Sequence, residues 1–276
     1  MSGVIDMEAA VGFVVAHGDP VERARLHRLR TGAEVPPEIL ENAEIGQTAD
    51  GGWPAVWAGE IPSVDATCFR LGELDDLGAL GRPAARRALD WLAVRQQPDG
   101  TWEENPALAD VAPPWATPGD PDAAYYLTAN AVFWLTVAGL DARAAGPLDH
   151  RVGGVYAGVV HGGAQAIADR LRPDGTWPSY LIAGGLAAAV LYRQQMFQPW
   201  ARIESVLLNR LRDLSAAELA WLTAALRRVD VPIDDRFIVA ARRRLADTQR
   251  SDGGWDNDDG DRFAVHTALA AIRGCR

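Results

Sequence analysis

Asp50-Gly51-Gly52-Trp53, Asp99-Gly100-Thr101-Trp102, Asp174-Gly175-Thr176-Trp177 and Asp252-Gly253-Gly254-Trp255 are copies of one tetrad. Gln47, Gln96/Gln97 and Gln249 stand just upstream of three of them. Recurrence of this kind marks one supersecondary unit used several times. Asp-Gly and Gly-Gly are turn formers because Gly accepts positive φ. Before the second tetrad, Ala84 to Arg95 (AARRALDWLAVR) carries its apolar residues at helical spacing, and a more apolar helical stretch follows. Each unit therefore reads as helix, tight turn, helix. The Trp is expected to fold over the helix end as a structural staple, its indole N–H finding a partner there.

Extended along the chain, the same reading predicts twelve helical segments: 5–17, 19–31, 36–47, 64–79, 82–97, 121–139, 152–171, 179–195, 199–212, 215–229, 234–249 and 261–273. Asp19-Pro20-Val21-Glu22 and Ser215-Ala216-Ala217-Glu218 read as capping boxes. The junction before Ser215 lacks the tetrad. The Pro-rich loop 105–121 is too long for a plain connector and suits a cover over a cavity. No strand is predicted.

With 276 residues, 48% of them hydrophobic, the chain can bury one sizeable core, and the repeats argue for a single domain over 1–276. A net charge of −10 repels phosphate backbones, so no nucleic-acid partner is expected. All 27 basic residues are Arg, which excludes Schiff-base lysines and Walker-type phosphate loops. Cys68 and Cys275 do not make a disulfide framework and suit a reducing, cytoplasmic setting. The stretch 181–191 (LIAGGLAAAVL) is too short to span a bilayer and reads as a buried helix; no transmembrane segment or signal peptide is expected.

Six helix pairs end to end make either a solenoid or a ring, and the apolar-all-round character of 128–140, 181–191 and 265–272 favours an all-α (α/α)6 double-ring barrel. Segments four, six, eight, ten and twelve are expected inside. The Arg-rich segments 20–31, 82–97 and 234–250 are expected on the outer circle.

The Gln…Asp-Gly-Gly-Trp element resembles the QW-type repeat of squalene/hopene cyclases and other protonation-initiated (class II) terpene cyclases, and of protein prenyltransferase β subunits. The resemblance covers nearly the whole chain. It implies the (α/α)6 barrel and, less specifically, an isomerase acting on a hydrophobic isoprenoid. In the cyclases an Asp-x-Asp-Asp-Thr-Ala motif opens an inner helix. Here Ser63-Val64-Asp65-Ala66-Thr67-Cys68 resembles it, with Ser63 and Ala66 replacing two of the acids. The resemblance implies that Asp65 carries the transferred proton, with Ser63 and His266 as candidate hydrogen-bonding helpers. An Asp at this place is also a normal helix N-cap, and both readings stand.

Asp120-Pro121-Asp122-Ala123-Ala124-Tyr125-Tyr126 offers a rival acid, Asp122, with Tyr126 and Phe133 on the same helical face. Its alternative is an exposed, Pro-flanked cap. Asp261-Arg262-Phe263-Ala264-Val265-His266-Thr267 resembles the zinc-binding segment of prenyltransferase β subunits, but the matching Asp-x-Cys pair is missing near Tyr180-Leu181-Ile182-Ala183, so no zinc is expected. The acidic run 256–261 fails the EF-hand spacing.

Three functions follow. One is a class II cyclase enclosing a polyene, with Asp65 or Asp122 as acid and with Trp57, Phe69, Trp115, Asp120, Tyr125, Tyr126, Phe133, Tyr180 and His266 lining the substrate site. It needs no cofactor, and Mg²⁺ only if the substrate carries a diphosphate. The second is a non-catalytic barrel that binds a hydrophobic ligand or partner. The third is a carbohydrate-active barrel with Asp65 and Asp122 as its carboxylates.

Overall fold

The computed structural model describes residues 3–141, 154–258 and 260–276. Residues 152–153 of the seventh expected segment and Asp259 of the acidic run lie outside them. Among the described residues the chain is all-α, with helices α1 (Met7–His17), α2 (Pro20–Thr31), α3 (Pro37–Glu44), α4 (Val64–Asp76), α5 (Pro83–Ala93), α6 (Pro121–Asp141), α7 (Ala157–Asp169), α8 (Leu181–Arg193), α9 (Phe197–Arg210), α10 (Ala216–Arg228), α11 (Arg236–Thr248) and α12 (Ala264–Gly274). Each expected segment overlaps one of them, with α6 ending two residues late, α9 starting two residues early and α12 ending one residue late. A strand pair was not expected: β1 (Trp53–Pro54) runs antiparallel to β2 (Pro62–Ser63), with Trp53 opposite Ser63. Two residues per strand leave no alternation for a sequence pattern to register.

Local chemistry accounts for the helix starts. Asp19 and Ser215 make reciprocal capping boxes with Glu22 and Glu218. Asp6, Ser63 and Asp235 cap α1, α4 and α11 through their side chains. Pro20 and Pro83 open α2 and α5, where a missing N–H costs nothing.

The residues gather into two compact units: 1–39 with 204–276, and 40–203. In the second, α4 packs on α6 and α6 on α8, while α5 and α7 lie against them. In the first, α10 packs on α12, and α12 on both α1 and α2. The Arg-rich α2 was expected among the outer helices. It lies against α12, with Leu26 buried and Arg25 buried beside His266. α6 is long and apolar enough, by length and composition alone, to cross a membrane; 78% of that window is buried, as in a core helix.

The four turns are built alike. In each, a residue preceding the tetrad donates its N–H to a carbonyl just before the Trp and accepts the N–H of the tetrad's first glycine: Thr48, Gln97, Arg172 and Arg250. Those glycines, Gly51, Gly100, Gly175 and Gly253, have φ of +108°, +85°, +85° and +89°. Positive φ is one reason for glycine, and contact is the other. A Cβ would strike Arg87 O at 2.6 Å, Gly162 O at 2.5 Å, Arg202 Cβ at 2.7 Å and Ala9 O at 2.1 Å respectively. Each turn thus lies directly on a neighbouring odd-numbered helix: α5, α7, α9 and α1.

The upstream glutamines fasten this contact. Gln47 Nε2 donates to Gly51 O and Ala84 O, both at 2.8 Å, and Gln249 Nε2 to Gly253 O at 3.0 Å and Asp6 O at 2.9 Å. The Trp residues are buried, and Trp102 and Trp255 donate Nε1–H to Leu92 O and Leu245 O at 2.8 Å, closing the preceding helix. The third copy departs. Leu171 stands in place of the Gln, and Trp177 donates forward to Tyr180 O at 2.7 Å.

Candidate functional site

The short β1–β2 pairing delivers the chain to Ser63, whose Oγ accepts the Ala66 N–H at 3.1 Å and starts α4. Thr67 Oγ1, one turn further on, accepts the Trp53 N–H at 2.9 Å. Thr128 does the same for Trp102 in the next repeat, also at 2.9 Å. These Thr bonds lock the first turn of α4, and α6 two turns in, to the Trp before each helix.

Asp65 is not the cap of α4. The backbone groups it was one candidate to satisfy are taken by Glu104, which lies two residues beyond Trp102. Glu104 Oε1 accepts the Ser63 hydroxyl at 2.7 Å and the Asp65 N–H at 3.0 Å, and its Oε2 accepts the Val64 N–H at 2.9 Å. Three donors around one buried carboxylate at a helix N-terminus form a strongly anion-favouring setting. Burial still pushes the Glu104 carboxyl upward, and the nearby Asp65 adds to that, while the three hydrogen bonds pull it down.

With the helix end satisfied, the Asp65 carboxyl turns to side chains. Oδ1 accepts the Tyr126 hydroxyl at 2.7 Å and Oδ2 accepts Trp115 Nε1–H at 3.0 Å. Asn130 Nδ2, one turn along α6 from Tyr126, donates to the Tyr126 oxygen at 3.2 Å. A chain of donation therefore runs Asn130 to Tyr126 to Asp65. Burial raises the Asp65 carboxyl above the ordinary carboxylate range, against the pull of the two donors. Cys68 is fully buried nearby, its thiol pushed well up by burial and by the two carboxylates. The Tyr126 phenol is pushed well up by burial and by Asp65.

The other candidates are distributed as follows. Trp115 comes from the long loop, on a short 3-10 turn (Pro114–Ala116), and is 45% exposed. Phe69 lies one turn beyond Asp65 on α4 and is exposed. Tyr125 is buried, with no hydrogen-bond partner for its hydroxyl among the described residues, and burial raises its phenol. Phe133 is buried edge-on to Trp134, centroids 5.0 Å apart. Trp57 is half-buried and Tyr180 exposed. Asp120 caps α6 by accepting the Asp122 and Ala123 N–H groups at 2.8 and 2.9 Å. Asp122 itself is exposed, and Tyr126, expected beside it, is bonded to Asp65 instead. Tyr126 lies four positions after Asp122, one helical turn on, but the phenol reaches across to α4. His266 lies in the other unit, Nδ1 at 3.2 Å from Arg25 Nη1 and Nε2 at 3.5 Å from Glu22 Oε1. The Ser63 hydroxyl bonds Glu104 rather than Asp65. Among the described residues no group of three or more His, Cys, Asp and Glu side chains is placed to hold a metal ion.

Glu104 and Asn130 were missed in the sequence. A signal for Glu104 exists: it stands two residues after a repeat Trp, and Ser179, two after Trp177, likewise reaches back to an earlier even-numbered helix, bonding Asp122 O at the start of α6.

No protein-family model and no curated protein matches the chain. Solved structures share its fold. A protein from Actinoplanes aligns over 98% of this chain and 97% of its own, with TM-score 0.61 and 18% identity. The type II terpene cyclase MstE from Scytonema, without ligand, aligns over 98% of this chain and 86% of its own, with TM-score 0.53 and 16% identity. A variant of it in complex with geranylgeranyl dihydroxybenzoate (substrate) gives TM-score 0.54, 17% identity and 86% coverage of that chain.

Proposed function

We propose that residues 1–276 form a single (α/α)6 barrel domain that catalyses protonation-initiated cyclisation of an isoprenoid polyene, with Asp65 as the acid. The observation that supports this most is the release of the Asp65 carboxyl from capping by Ser63 and Glu104 and its seat between Tyr126 and Trp115. In the proposed step an alkene π pair takes the Asp65 proton, forming a C–H bond. The O–H pair stays on Asp65 as carboxylate, and a tertiary carbocation remains on the substrate. Burial raises the Asp65 carboxyl and so favours its protonated form; Tyr126 and Trp115 stabilise the carboxylate left behind, which makes the acid stronger. Phe69 and Trp115, exposed beside Asp65, offer ring faces to the cation. A second alkene then attacks the cation, and loss of a different proton ends the sequence.

The test is incubation with farnesyl-, geranylgeranyl- and squalene-type polyenes in H2O and D2O, followed by mass spectrometry. The product is expected to be isomeric with its substrate in H2O and to carry one deuterium in D2O. A product that has lost diphosphate, or retention of no deuterium, overturns the reading. Conversion of an uncharged polyene is expected to survive EDTA, because a carboxylic acid supplies the proton; EDTA-sensitive turnover of that substrate argues against Asp65. The substitutions at Ser63 and Ala66 favour a second reading, a non-catalytic barrel, which replaces the first if the polyenes bind and none is converted. A sugar-cleaving site is less well supported: the carboxylate beside Asp65 is Glu104, buried and committed to a helix end. The two free cysteines, Cys68 and Cys275, fit a reducing compartment.

Tyr126→Phe separates acid strength from proton retention. Loss of the hydroxyl donor raises the Asp65 proton affinity further. The plateau rate is expected to fall about tenfold while the alkaline limb of kcat moves to higher pH. An alkaline limb that moves down instead contradicts donation from Tyr126 to Asp65.

A further inference from the structure

We propose that Glu104 is the fixed negative charge of this site, and that by holding that charge at the start of α4 it keeps the transferable proton on Asp65. Glu104 is thus a positioning residue; the inference rests on the reading of Asp65 as the acid.

Two buried or half-buried carboxyls share the first turn of α4, and their surroundings differ. Glu104 accepts from Ser63 Oγ, from two backbone N–H groups and from the field of the helix N-terminus. All three donors are fixed: two are peptide groups, and the third, the Ser63 hydroxyl, already accepts from Ala66 N–H. Protonating Glu104 would weaken all three bonds and remove the charge that the helix N-terminus favours. Asp65 accepts from Tyr126 and Trp115 only. A carboxyl has about four lone-pair directions, so protonated Asp65 retains room for both of those bonds. Neighbouring carboxyls in unlike settings are pushed apart in proton affinity, one ionised and one not. Here the anion falls to Glu104 and the proton to Asp65. The other titratable groups coupled to the pair are Cys68 on α4 and Tyr126 on α6, both held neutral by burial and by the carboxylates themselves.

This gives the altered motif a physical sense. Ser63 and Ala66 stand where the resembling cyclases carry acids. Glu104, arriving from the next repeat's turn, brings a carboxylate to the same helix start through Ser63.

The experiment is a 13C-NMR titration of the Asp65 and Glu104 side-chain carboxyls in the intact wild-type chain, assigned with Asp65→Asn. Glu104 is expected to ionise at lower pH than Asp65; the reverse order overturns the proposal without any variant at Glu104. In Glu104→Gln the Asp65 midpoint is expected to fall by about one pH unit or more, and an unchanged midpoint in a folded Glu104→Gln chain also overturns it. In turnover, Glu104→Gln moves the alkaline limb of kcat down with KM within about twofold of wild type, and Ser63→Asp added to it restores the limb. A chain that never turns over fails the cyclase reading, while the titration order still decides the role of Glu104.

Discussion

Asp65→Asn is expected to abolish turnover and leave the helical fold intact. The amide is nearly isosteric: its oxygen can accept from Trp115 Nε1 while its NH2 donates to the Tyr126 oxygen, which accepts as readily as it donates. The helix start is untouched, because Ser63 and Glu104 cap it. An amide has no proton to give an alkene. The loss is the general-acid contribution, about 10²–10⁴-fold or more. Steady-state turnover with an accepted polyene measures it, with circular dichroism as the fold control. Asp122→Asn is expected to stay near wild type, since that side chain is exposed and Tyr126 faces Asp65. Full activity in Asp65→Asn with loss in Asp122→Asn would move the acid to α6.

The largest stability effect is expected from Trp102→Ala. Trp102 is fully buried, and its Nε1–H closes Leu92 O in the last turn of α5. Truncating a buried Trp costs about 3–5 kcal/mol through lost area and the cavity left behind. The orphaned carbonyl adds about 1–3 kcal/mol. Against a total of roughly 5–15 kcal/mol for a folded domain, this approaches unfolding. Trp102→Phe keeps most of the apolar contact and is expected to lose only the carbonyl share. Urea unfolding of the three chains measures both; a loss below about 1 kcal/mol in Trp102→Ala would show that the staple does not hold α5.

The helices were readable because their signals are local: apolar spacing, Asp19 and Ser215 with their return glutamates, Pro20 and Pro83. So were the turns, because positive φ at Gly51, Gly100, Gly175 and Gly253 leaves a mark in the composition. The site was readable only in its parts. Asp65, Tyr126 and Trp115 were all singled out, but as an acid, a neighbour of Asp122 and a lining aromatic. Their union depends on bonds across 50 and 61 positions. Glu104 acts across about 40 positions, and only its place two residues after a repeat Trp separates the buried acid from its exposed neighbour Glu103. α2 shows the same limit from the other side. Its arginines read as solvent-facing until a partner such as His266 supplies somewhere for one of them to go.

Gln249 bonds both the N–H and the carbonyl of Asp6, 243 positions away, and Gly253 rests on Ala9. During synthesis, then, α1 emerges with its docking surface still unmade. At about 5–20 residues per second the wait is roughly 10–50 s, during which the unit of residues 40–203 can already close on itself. Phe13 and Val14, buried in the finished protein, spend that interval without their final cover. A chaperone that shields apolar helices would find its substrate here, and a circular permutant joining 276 to 3 and opening at a surface loop of the other unit would shorten the wait. Its refolding is expected to be faster than that of the natural order, since the most distant contacts become local.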